Sequence, residues 1–228
     1  MGWLYRRIFP RWRPRAALRP TMTPAAASGA AVRIRWLGTA GHVIETPTTT
    51  LLVDPFLTRP SLDSLAGRIA PDEAAIRARL PARVDAVLCG HSHFDHLLDA
   101  PFIARTSGAT LAGSATTCAF ARAGGVPAAQ LVCVPPTGHA FTVGDATIRF
   151  VPSLHGRILF GKVPFPGEVA APPPLPARAG HDRRGGAGGS RGDVGGLRIY
   201  HNGSADLIDA ELDGARADVL LVGLAGRK

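Results

Sequence analysis

The stretch Cys89-Gly90-His91-Ser92-His93-Phe94-Asp95-His96-Leu97 places three imidazoles and one carboxylate within six residues. It follows Val84-Asp85-Ala86-Val87-Leu88, a short apolar run of the kind a buried strand shows. On an extended segment, residues two apart project to the same side, so His91 and His93 can address one ion together. His96 cannot join them on a continuing strand. The chain has to turn after Phe94, and Asp95 with His96 then face a second point nearby. Neutral imidazole and carboxylate are ligands of zinc and similar borderline cations. The spacing therefore predicts two adjacent metal positions served by one loop. A lone loop histidine is more often bonded to backbone, but H-x-H-x-D-H at the end of an apolar strand is a far more specific arrangement.

At 228 residues, 46% of them hydrophobic, the chain is long enough for one sizeable α/β domain and too short for two of usual size. Net charge is +9, yet residues 1–35 hold eight Arg and no Asp or Glu, while the remainder carries 18 basic and 17 acidic residues. The excess belongs to the N-terminal tail. That argues against nucleic acid as a partner, because a nucleic-acid-binding domain builds its basic face into the folded body. Cys89, Cys118 and Cys133 lie in apolar contexts with no C-x-x-C pair. Such an odd count predicts reduced, buried thiols and a cytoplasmic location.

Residues 1–31 form a basic leader, rich in Arg and Pro and ending in an Ala-rich spacer, whose composition predicts disorder. It has no uninterrupted apolar stretch of the secretory type, and no run approaches membrane-spanning length. A sharper reading is peripheral contact of residues 1–20 with an anionic membrane. Trp3, Tyr5, Phe9 and Trp12 would sit at the interface while the arginines meet head groups.

Residues 32–228 read as the globular domain. Val32–Leu37 alternates apolar and polar as a half-buried strand should, and His42–Thr46 and Thr50–Asp54 read as two further strands. Asp54 ends the third, where a carboxylate can either orient a ligand imidazole or cap the strand before Pro55. His42 reads as a structural or pocket-rim residue. Pro71–Leu80 is a helix with acids at its start and arginines at its end, matching its dipole. Ser114–Ala123 is a second helix, begun by a Ser cap and stopped by Gly124-Gly125. Leu131–Val134, Ala140–Val143 and Ala146–Pro152 read as strands, with Gly144-Asp145 a hairpin turn between the last two. His155 follows at a strand end beside Gly156, which leaves room for an ion to approach. Residues 164–196, with Pro172-Pro173-Pro174 and three Gly-Gly pairs, read as a flexible insertion beside the site mouth, with a lid or recognition role as the alternative. His181 within it is expected to be solvated. Leu197–Gly203 is strand into turn, Leu207–Leu212 a helix and Asp218–Gly223 a last strand.

His91-x-His93-x-Asp95-His96 resembles the signature of the metallo-β-lactamase-fold hydrolases. The flanking pattern is most similar to the branch with ascorbate-6-phosphate lactonase-like proteins and N-acyl-phosphatidylethanolamine phospholipase D. The resemblance runs from Val32 to the C-terminus and implies an α/β fold, the αββα sandwich. It implies that Asp54, matching the family's first acidic motif, supports the metal loop without being a ligand. It implies that His155 completes a trio with His91 and His93, and that Asp95 and His96 serve the second ion. The family's fourth motif reads Gly-Asp-Thr, with its Asp bridging both metals. Here Gly203-Ser204 stands in that place and the next acid is Asp206. Asp206 is therefore the bridging candidate; otherwise it caps the following helix, or His201 fills the position. Family members carry a further C-terminal histidine, and none follows His201 here, so the resemblance implies a fold incomplete at the C-terminus.

Zinc lowers the pKa of bound water to about 7, which makes hydroxide available at neutral pH. The expected function is metal-dependent hydrolysis of an ester-type bond (phosphodiester, phospholipid or lactone) in a small-molecule or lipid substrate. One or two Zn2+ ions are expected, with Mn2+ or Fe2+ as alternatives, and Asp95 also orients the nucleophile or passes a proton. The competing expectation is a truncated, catalytically inert paralogue that binds metal and acts as a binding module.

Overall fold

The computed structural model describes residues 32–61, 63–64, 67–157, 162–169, 171, 174–178, 183–203 and 205–223. The leader with its expected membrane contact, His181, Ser204 and residues 224–228 lie outside the described residues.

The first sheet contains β1 (Arg33–Gly38), β2 (Gly41–Glu45), β3 (Thr50–Val53), β4 (Ala86–Leu88), β5 (Thr110–Ser114) and β6 (Leu131–Val134), ordered as in the sequence. The first three are antiparallel neighbours, and β3 through β6 run parallel. Parallel neighbours need crossover connections. These carry α1 (Glu73–Arg77), α2 (Phe94–Leu97), α3 (Ala100–Ser107) and α4 (Ala115–Ala123). Asp72 caps α1 by accepting from the Ala75 N–H at 2.9 Å, and Ser114 caps α4 by accepting from the Thr117 N–H at 3.2 Å. Helix α3, absent from the sequence expectation, starts with Pro101 in its first turn and ends at Gly108 with φ 77°. Both signals suit its ends.

The sheet's period of two sorts its side chains into two cores. Val43, Leu52, Val87 and Leu111 face a cluster with Ile76, Ile103 and Phe120 from the helical layer. Their neighbours Ile44, Leu51, Val53, Leu88 and Ala112 face Ile148, Phe150, Val194 and Ile199 of the second sheet. Burial on both faces explains why β3 and β4 read as continuous apolar runs. Each fully buried Val, Leu or Ile contributes about 1.5–3 kcal/mol.

The second sheet contains β7 (His139–Val143), β8 (Ala146–Pro152), β10 (Gly188–Val194), β11 (Leu197–His201) and β13 (Val219–Leu221), in the order β13-β11-β10-β8-β7. A two-stranded pair, β9 (Leu154–His155) with β12 (Ala205–Asp206), lies beside it in sequence, and α5 (Asp209–Leu212) follows. Glu211 and Leu212 of α5 share a cavity with Arg149, Tyr200 and Leu220 from the far side of the second sheet. The layers therefore run helix, sheet, sheet, helix. No helix among the described residues is long and apolar enough to cross a membrane.

Two expectations are corrected. The stretch expected as flexible insertion over 164–196 supplies β10, hydrogen-bonded to β8 on one side and β11 on the other. Its glycines have a packing reason, since a Cβ on Gly189 would lie 2.6 Å from the Tyr200 hydroxyl. Gly195 and Gly196, with φ 55° and 82°, form a two-residue hairpin loop between paired Val194 and Leu197. Adjacent positive φ values are what such a turn requires. The expectation of three reduced, buried cysteines also fails. Cys118, buried in α4, is joined by a disulfide to Cys133, exposed on β6, and only Cys89 is a free thiol.

Candidate metal centre

Strands β3 and β4 run parallel and end together, which places Asp54 beside the loop after Leu88. The Asp54 N–H donates to the Leu88 carbonyl at 2.8 Å. Ligands in open α/β sheets gather at these carboxyl ends. Cys89 to His93 form the loop. His93 caps α2 in extended conformation (φ −65°, ψ 151°), and the helix then turns the chain at Phe94. Asp95 and His96 consequently leave the loop in a new direction. Close approach favours glycine at position 90, because a Cβ there would lie 3.0 Å from the Gly188 carbonyl.

The buried histidine His155 meets this loop from β9, in the two-stranded pair that follows the second sheet's β8. Ring centroids are 4.7 Å apart for His91–His93 and His91–His155, and 4.8 Å for His93–His155. One ring nitrogen from each of the three lies within 4.8 Å of the others, and the same holds for His91, Asp95 and His96. His91 therefore stands between two groups of metal-type donors.

Hydrogen bonds fix the ring tautomers, since a carbonyl can only accept. His93 Nε2 sits 3.1 Å from the Pro164 carbonyl and must carry the proton, which leaves Nδ1 with its lone pair toward the cluster. His155 Nδ1 donates to the Gly156 carbonyl at 2.7 Å, which frees its Nε2. His96 Nδ1 lies 2.9 Å from Asp54 Oδ2, leaving Nε2 on the side of Asp95, whose Oδ2 is 3.6 Å away. His91 Nε2 approaches His93 Nδ1 at 2.9 Å. That contact suits an N–H on His91, and a shift of a few tenths of an ångström would open the pair to the spacing of two nitrogens on one cation. The donor set thus fits a borderline cation in ligand type, tautomer and convergence.

Electrostatics point the same way. Burial, followed by the neighbouring imidazoles, holds His91 well below the ordinary histidine value. Burial and then His155 lower His93 to about 4, and burial lowers His155. All three are neutral at pH 7, the form that ligates. Burial by itself raises the Asp54 carboxyl, but the charge and hydrogen bond of His96, then His201, then the Gly90 N–H at 2.7 Å outweigh it. Asp54 is therefore ionised, with one oxygen on Gly90 and the other on His96.

Asp206 does not join the cluster. It pairs with Leu154 across the β9–β12 ladder, whereas His155 pairs with Ala205. Residues opposite each other share a face and successive residues alternate, so Asp206 points with exposed Leu154 and away from His155. It accepts instead from the Leu207 N–H at 3.0 Å. His201 also lies outside, with Nε2 donating to the Ala40 carbonyl at 2.8 Å and Nδ1 3.9 Å from Asp54 Oδ2. His42 donates from Nδ1 to the same carbonyl at 3.0 Å. Cys89 turns away from the cluster. Its Sγ lies 3.7 Å from the His96 carbonyl, and burial, then Asp54, push its thiol well up. Neither the Pro164 carbonyl nor the Ser92, Ser114 and Thr117 hydroxyls that pin the back of the loop at 2.9–3.2 Å carry a signal readable from sequence.

The His42–His201 pair predicts acid sensitivity of the metal-free protein. Burial, then His201, lower His42 from 6.5 to about 4, and burial lowers His201. The unfolded chain therefore binds more protons below pH 6.5, so stability falls as pH drops from about 6.5 towards 4. Urea midpoints measured in chelator over that range should decline. A His42→Gln variant should show a shallower slope, and an equal slope would remove His42 from this account.

Fold and cluster together define a two-sheet α/β protein with imidazoles from separate strands converging at the carboxyl ends of parallel strands. Residues 33–228 match the Beta-lactamase superfamily domain, and the chain belongs to the metallo-β-lactamase superfamily. A protein of Carboxydothermus hydrogenoformans named a metal-dependent hydrolase is 30% identical over 202 residues, covering 86% of this chain and 73% of its own length. One of Myxococcus xanthus with the same name is 32% identical over 154 residues, covering 67% of this chain and 50% of its own. The matched region is thus half of that relative's length. A Veillonella parvula structure described as a possible metal-dependent hydrolase superposes with TM-score 0.51 at 19% identity, covering 83% of this chain and 69% of its own. CmlA, a diiron beta-hydroxylase from Streptomyces venezuelae, superposes with TM-score 0.50 at 18% identity, covering 78% and 30%. Those two likenesses show the fold.

Proposed function

We propose that the chain is a metal-dependent hydrolase of an ester-type bond. The observation that carries this reading is the meeting of His91, His93 and His155, with the spare nitrogens of His93 and His155 bound to backbone carbonyls. These three would hold the first cation. Asp95 and His96 would serve a second, with His91 at its edge and Asp54 orienting His96. A divalent cation held by these residues would supply a water of lowered pKa and polarisation of an ester oxygen. Zn2+ suits an all-imidazole trio best, and the oxygen donor Asp95 leaves Mn2+ and Fe2+ as alternatives. CmlA, of the same fold, is described as diiron.

Asp95 is half-exposed at the cluster's edge, where it can orient the nucleophile and hand a proton to the leaving group. Behind the loop lies a cavity of about 420 Å3, lined by Phe94, Leu97, Leu98, Phe102, Phe120 and Leu175 among others. It suits an apolar portion of a small-molecule or lipid substrate. The metal-binding but inert module is the second reading, favoured by Asp206 lying away from the second position. Metal analysis of purified protein, with titration and turnover of a generic phosphodiester, separates the two. Tight stoichiometric binding with turnover is expected; binding without turnover supports the module, and no stoichiometric metal refutes both.

A further inference from the structure

The segment between His155 and β10 folds back onto the loop that carries His91 and His93. The Phe165 carbonyl accepts from the Arg184 N–H at 2.9 Å, and the Gly167 carbonyl accepts from the Gly185 N–H at 2.9 Å. The Arg184 carbonyl in turn accepts from the Ser92 N–H at 2.8 Å, and Pro164 accepts from His93. Residues 164–167 and 184–185 are thus two arms held to each other and to the histidine loop. The Arg184 backbone is fixed on both sides, one residue's width from His91 and His93.

Among the described residues the Arg184 side chain takes part in no ion pair, and its Nε is buried without a hydrogen bond. A buried donor left without a partner is unfavourable, the more so on a charged group. A guanidinium carried on a backbone bonded to Ser92, between His91 and His93, is repelled by any cation held there unless an anion lies between them. A guanidinium is also the side chain shaped to grip phosphate or carboxylate with paired donors.

The opposite arm brings a second unusual residue. Phe165 is 43% exposed, its ring centroid is 6.4 Å from that of His93, and its φ is 40°. A bulky residue in the left-handed region is strained, and such strain gathers at ligand-contacting positions.

We propose that Arg184 determines specificity at this site by taking an oxyanion group of the substrate, so that the bond cleaved belongs to an anionic ester, with Phe165 against its apolar part. This rests on the hydrolase reading above. The chemistry shared by the possible substrates is a phosphate or carboxylate oxyanion close to the scissile bond.

The test uses the full chain, metal-loaded, as parent, Arg184→Met and Arg184→Lys, with metal content and thermal midpoint checked for each. Inorganic phosphate and acetate are titrated calorimetrically as probes. The parent is expected to bind one of them, and which one binds names the oxyanion. Arg184→Met should weaken that binding about 10–100-fold, the loss of a charge-assisted hydrogen bond, with Arg184→Lys in between. Hydrolysis of bis(p-nitrophenyl) phosphate should fall by a similar factor through KM, while neutral p-nitrophenyl acetate is cleaved at an unchanged rate. Binding of neither probe by the parent, or equal binding by parent and Arg184→Met, overturns the proposal. A parent that holds no metal refutes the hydrolase reading instead, and the oxyanion titration of the same samples still decides the role of Arg184.

Discussion

Replacing His93 with alanine is expected to abolish stoichiometric metal binding and with it ester hydrolysis. The loss should be well beyond the roughly 10–100-fold that follows removal of a group supporting a ligand. His93 presents Nδ1 to His91 Nε2 at 2.9 Å while its other nitrogen is held by Pro164. Alanine would leave two imidazoles in the first group and orphan the Pro164 carbonyl. A bound ion also stabilises the folded chain by mass action, so added metal should raise the thermal midpoint of the parent and leave that of His93→Ala unchanged. Metal analysis and melting curves on both proteins check this. Full metal content in the variant would remove His93 from the ligand set.

The largest stability effect is expected at Asp54. Its side chain is fully buried, with Oδ1 accepting from the Gly90 N–H at 2.7 Å and Oδ2 at 2.9 Å from His96 Nδ1. Removing the acceptor leaves the Gly90 N–H and the buried His96 N–H unpaired, at about 1–3 kcal/mol each. Asp54→Ala adds backbone strain, because φ is 45° here and alanine tolerates that region less well than Asp or Asn. Asp54→Asn keeps the volume and the tolerated φ, so it should lose less stability while still weakening metal binding about 10–100-fold through His96. Urea unfolding and metal titration of both variants measure the two effects separately. The acid limb has a definite sign. Because the folded-state carboxyl is lowered, its contribution is present above the ordinary value of 3.8 and is lost as pH falls below it. A stable Asp54→Ala with parental metal affinity would show that the carboxylate merely ends its strand.

Much of the first sheet was legible because its strands carry their instruction locally. Thr50–Val53 and Ala86–Leu88 are apolar on both faces, and Ser114 and Gly124 mark the ends of α4. The stretch 188–194 was not legible. Seven residues with three glycines resemble a linker in composition, yet β8 and β11 pair with them on both edges. A strand whose stability comes from neighbours on either side need not announce itself by propensity. The disulfide was hidden for a related reason. Cys118 and Cys133 are 15 residues apart, on a helix and an edge strand, and only the packing of α4 beside β6 brings their Cα atoms to 5.9 Å. Asp206 shows the limit of spacing arguments, since the β9–β12 register turns its side chain away from His155.

The sequence by itself determined the chemistry of the donors and the strand-to-helix turn that carries most of them, because His91, His93, Asp95 and His96 lie within six residues and their directions follow from local backbone. Only the tertiary structure decided what meets them. His155 and Arg184 come from segments about 60 and 90 residues later, and two-sheet packing with backbone hydrogen bonds sets their positions. The physical reason is that side-chain type and local direction are properties of neighbouring residues. Convergence on a point depends on how separate strands register and stack, which no short stretch contains.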